Sequence, residues 1–101
     1  MPVHSKCYSK VEQEAAHDLE EIEQLVHSIP EKQGDVEFQT HLFELLEQLQ
    51  DLCPYTVHSN LIRRLVARFG DAYFYFNQTG DLCFLTDFAQ EAKSAQLQIS
   101  I

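Results

Sequence analysis

The sequence predicts a mostly helical α+β domain: an antiparallel helical pair, a third helix, a β-hairpin and a short C-terminal helix. Three observations carry this expectation. Ala15, Leu19, Ile22, Val26 and Ile29 recur at spacings of 4, 3, 4 and 3, and Phe38, Leu42, Leu45, Leu49 and Leu52 repeat the pattern. That period is one face of an amphipathic helix. Between 69 and 88 the chain then concentrates Phe and Tyr around the turn-forming run Asn77, Gln78, Thr79, Gly80 and Asp81, a composition suited to a pleated pair of strands.

Residues 1–8 show no periodicity and read as a flexible N-terminal tail, with 9–101 as a single domain. Ser9 and Glu12 have capping-box spacing for the first helix, which runs to about Ile29 and is ended by Pro30. Asp35 is placed to cap the second helix, which Cys53 and Pro54 close. Two matched apolar seams joined by a five-residue link predict an antiparallel helical hairpin. About two and a half heptads per helix is short for the alternative, an intermolecular coiled coil.

The third helix is expected at 59–69, capped by Thr56 or Ser59 and ended by Gly70 in the left-handed position. Leu61, Ile62, Leu65, Val66 and Phe69 form its apolar face, and Asn60, Arg63, Arg64 and Arg68 its outer face. The hairpin spans 72–86, with Ala72, Phe74 and Phe76 on one side of its first strand and Tyr73 and Tyr75 on the other. Thr86 and Asp87 then cap a last helix carrying Phe88, Ala89, Ala92 and Ala95 inward. Residues 97–101 alternate apolar and polar and fit either a third strand or a loose tail.

The chain has 101 residues, 45% hydrophobic and 23% charged, as globular domains do, and a net charge of −9. The charge is uneven. Acids dominate up to residue 54, whereas residues 55–70 hold three arginines and no acid. A field of this sign opposes general attraction to nucleic acid or an anionic membrane and favours a basic protein partner. Cys7, Cys53 and Cys83 are odd in number and widely spaced, which argues against a disulfide framework or a structural zinc site. With no signal-like or membrane-spanning run, a cytoplasmic protein is expected.

No catalytic signature stands out: the glycines are isolated, the serines lack a nucleophile-elbow context, and no thiol is paired with an imidazole by the sequence. The expectation is a non-enzymatic interaction protein, a small acidic adaptor, anti-activator or chaperone, possibly homodimeric, with no cofactor. It would meet its protein partner through Tyr73, Tyr75 and Phe84 of the hairpin and Arg63, Arg64 and Arg68 of the third helix. Two alternatives come from other chemistry. A winged-helix-like order of elements would set Asn60, Arg63, Arg64 and Arg68 in a DNA groove with Gln78 and Thr79 at the wing tip, although three arginines neutralise few phosphates. Glu14 and His17 have the i, i+3 spacing of helical metal sites but lack the second such motif those sites need.

Overall fold

A computed structural model describes the backbone of residues 2–100 and the side chains of residues 10–99, and within these residues it is helical with no strand. Helix α1 spans Pro2–Val26, α2 Val36–Asp51, α3 Ser59–Thr79 and α4 Cys83–Ser100. Short 3-10 turns at Ile29–Lys32 and Cys53–Tyr55 join the first three. Each helix touches its neighbours in a closed ring, α1 with α4 and α2, and α3 with α4 and α2. The α1–α4 contact is the most extensive and the α2–α3 contact the leanest. Glu21 on α1 lies near His41 on α2, while Glu12 meets Thr56 beyond the far end of α2. The first two helices therefore run antiparallel. Arg68 on α3 faces Glu91 on α4, each two to three turns from the short link between the helices, so that pair is antiparallel too.

The α+β expectation is corrected. The stretch 72–86 is no β-hairpin but the end of α3, a three-residue link and the start of α4. The helical period explains why. Ile62, Leu65, Phe69, Ala72 and Phe76 recur at 3, 4, 3 and 4, and all five are buried. Leu85, Phe88, Ala92, Ala95 and Ile99 repeat the pattern on α4 and are buried as well. A strand over 72–76 would set Phe74 and Phe76 on one face; the helix buries Phe76 and turns Phe74 to solvent. Ten apolar positions in one continuous core outweigh the weak strand preference of aromatic side chains, which reports fit to a half-buried surface more than a backbone demand.

The third helix accordingly extends ten residues past its expected end at 69, through Gly70. The glycine that ends it is Gly80, at φ 76, whose N–H donates to the Phe76 carbonyl at 2.7 Å. Two substitutions of opposite sign follow. Gly70 has no positive φ and nothing within 4 Å of an added Cβ, so Gly70→Ala is expected to stabilise by about 0.5–1 kcal/mol through helix propensity. Gly80→Ala is expected to destabilise by about 1–2 kcal/mol, because a Cβ strains the left-handed conformation. Thermal unfolding of both variants checks the pair. A hairpin with Gly70 at the helix end would give a loss at Gly70 instead.

Other boundaries have local causes. Asp35 caps α2 as its position suggests, its carboxylate accepting from the Phe38 N–H at 3.0 Å. Helix α4 begins earlier than Thr86 because Asp81 accepts from the Cys83 N–H at 2.9 Å. Residues 97–100 continue α4, with Ile99 buried, and so form neither strand nor tail; Ile101 lies outside the described residues. The backbone of α1 starts at Pro2, within the stretch expected as a tail, whose side chains up to 9 lie outside the described residues. No helix among the described residues is long and apolar enough to cross a membrane.

Candidate interaction face

The antiparallel packing of α3 on α4 leaves a cleft of about 660 Å³ on its outer side. Ala72 and Phe88, both buried, form its floor, and Phe74, Tyr75 and Phe84 rise around it. The Tyr75 and Phe84 rings meet edge to face, 4.7 Å apart at 66°, a favourable aromatic geometry. Even so, Phe84 is 48% exposed and Phe74 65%, and Leu82 in the adjoining link is 40% exposed. Helical geometry produces this arrangement: Ala72 and Phe76 point to the core, Tyr75 falls on the α4 flank, and Phe74 is left outside. A short link then brings Phe84 back against Tyr75.

The rim is charged. Arg68 on α3 is paired with Glu91 on α4, and this bridge separates the aromatic cleft from a second, polar one of about 440 Å³ that Arg64, Gln90, Ser94 and Gln98 line. Asp71 and Asp87 complete the aromatic rim.

Four of the six residues expected to meet a partner thus come together along the α3–α4 groove: Tyr75 and Phe84 in the aromatic cleft, Arg68 at the bridge and Arg64 beyond it. Tyr73 does not join them. It is half-buried on the α2 side, stacked on Phe69 at 5.5 Å and edge-on to Phe43 at 5.6 Å. Its role is to fill the lean α2–α3 seam. Arg63 is exposed and lines neither cleft. The sequence reading missed Phe74 as a surface residue because it assigned the wrong period to 72–76. The winged-helix alternative loses its wing, since Gln78 and Thr79 are the last turn of α3.

A separate polar cluster joins α1 to the α2–α3 connection. Glu12, 9% exposed, accepts a hydrogen bond from the Thr56 hydroxyl and lies 3.2 Å from His58 Nε2. The Thr56 Oγ1 in turn accepts from the His58 N–H at 3.1 Å. This knot ties α1 to the α2–α3 connection. Of the suggested metal pair, His17 contacts Glu21 at 3.2 Å, and among the described residues no three His, Cys, Asp or Glu side chains gather as a metal site would need.

Asp18 is buried between α1 and α2. Desolvation pushes its carboxyl above the ordinary aspartate value; nearby His17 opposes this, and Glu21 and Glu14 reinforce it. An acid whose folded pKa is raised contributes stability below its unfolded value that is lost as pH rises through the folded one. Ionised Asp18 therefore destabilises the fold at neutral pH. Asp18→Asn is expected to raise stability at pH 7 by up to about 1 kcal/mol, with the gain vanishing below about pH 4. Thermal unfolding across that range measures it.

Fold and face together define a small helical protein that presents an aromatic cleft between its last two helices. Comparison with models of known protein families, with curated proteins and with solved structures finds no match to this chain.

Proposed function

We propose that this chain is a non-enzymatic protein-interaction module that works through the aromatic face of α3 and α4. The observation that supports this most is the cluster of Phe74, Phe84 and Leu82, three large apolar side chains left in water beside a cleft. The core is closed without them, because the buried faces of all four helices already pack on one another. Exposed aromatics gathered around a concavity, as opposed to scattered singly, are characteristic of contact sites. The reading places the protein in the cytoplasm, where Cys7, Cys53 and Cys83 would stay reduced.

Phe74→Ser and Phe84→Ser test it. Both variants are expected to keep the far-ultraviolet circular dichroism and unfolding midpoint of the parent while losing capture of the protein partner. If the partner is a second copy, the variants would instead lower the mass measured by light scattering. Unchanged capture and unchanged mass in both variants would exclude this face.

A further inference from the structure

We propose that the α3–α4 cleft takes a cationic amphipathic helix of a partner protein, with an apolar side chain seated against the touching Tyr75 and Phe84 rings and lysines or arginines set against Asp71 and Asp87. This rests on the interaction reading above and narrows it to one kind of occupant. The cleft volume of about 660 Å³ lies in the range of sites that bury a compact ligand. Its aromatic walls supply the apolar half of the recognition, as grooves that receive one face of a helix do.

Charge selects the partner. The cation on the rim, Arg68, is engaged by Glu91, and neither Asp71 nor Asp87 forms an ion pair among the described residues. Two carboxylates therefore stand free beside three aromatic rings, which themselves attract cations through their faces. The net charge of −9 adds a field that draws a basic partner and opposes a second copy carrying the same charge.

The probes are two synthetic helical peptides of about 18 residues, long enough to follow the groove, with the same leucine stripe and either lysine or glutamate elsewhere. Fluorescence anisotropy would measure their binding to the parent chain, Phe84→Ser, Asp71→Asn with Asp87→Asn, and a charge-matched control, Glu44→Gln with Glu47→Gln, on exposed positions of α2. The lysine peptide is expected to bind the parent and to weaken about fivefold or more with Phe84→Ser and with the Asp71/Asp87 pair, but less than about twofold with the α2 control. The glutamate peptide is expected not to bind. Equal weakening by the two charge pairs, or equal binding of the two peptides, would overturn the proposal. A chain that ignores both peptides but forms a dimer that Phe84→Ser dissociates would overturn the cationic occupant and leave the interaction face standing. If Phe84→Ser altered neither peptide binding nor mass, both readings would fall.

Discussion

Phe69→Ala is expected to lower the free energy of unfolding by about 3–5 kcal/mol, read as a fall in the urea midpoint at unchanged slope. Phe69 is 1% exposed and sits where three helices meet. Its ring stacks on Tyr73 at 5.5 Å, meets Phe88 of α4 at 5.3 Å and 64°, and faces Phe43 of α2 at 6.4 Å and 76°. Removing it opens a cavity that those rings cannot close without leaving their own rotamers. The α2–α3 seam would suffer most, since aromatic contacts fill what is otherwise the leanest interface in the bundle. For a chain of this length, whose total stability is on the order of 5–15 kcal/mol, the loss is a large fraction of the whole. Phe74→Ala, five residues further along the same helix, is expected to stay within about 0.5 kcal/mol of the parent because its side chain is already in water. A loss under about 1 kcal/mol at Phe69 would contradict the packing described here.

The second large effect belongs to the polar knot at the other end. Glu12→Ala is expected to cost about 2 kcal/mol, because it strands the buried Thr56 hydroxyl and removes the carboxylate beside His58. Thr56→Val removes the other side of the same hydrogen bond and also the acceptor of the His58 N–H. The double variant is expected to lose less than the sum of the two single losses, since each single change already breaks the bond that they share. Additive losses in denaturant unfolding would show instead that Glu12 and Thr56 act independently.

These two sites mark what the sequence could and could not reveal. The 4, 3, 4, 3 spacing of α1 and α2, and the Asp35 cap between them, are local patterns that survive folding unchanged. The same kind of period ran through 62–76 and 85–99, but Gly70, the run of aromatics and the turn chemistry around Gly80 pointed to strands. Gly80 does make the turn; it joins two helices where strands were expected. The assignment moved Phe74 inward and set Tyr73 beside Tyr75, whereas the helix sends these two tyrosines to opposite flanks, against α2 and α4 respectively. Phe84 and Arg68 were legible as exposed residues because an aromatic after a turn and an arginine on an outer face reach solvent in either architecture. The Glu12 knot was not legible. Its hydrogen-bond partner Thr56 lies 44 residues away, and Glu12 itself read as half of a local capping box with Ser9.

The most direct test of the α3–α4 face as the contact surface is amide hydrogen exchange of the free chain against the same chain bound to its partner. Slowed exchange is expected at the end of α3, in the 80–82 link and in the first turns of α4, with α1 and α2 unchanged. Protection confined to α1 and α2, with the residues around Phe74 and Phe84 exchanging as in the free chain, would contradict it.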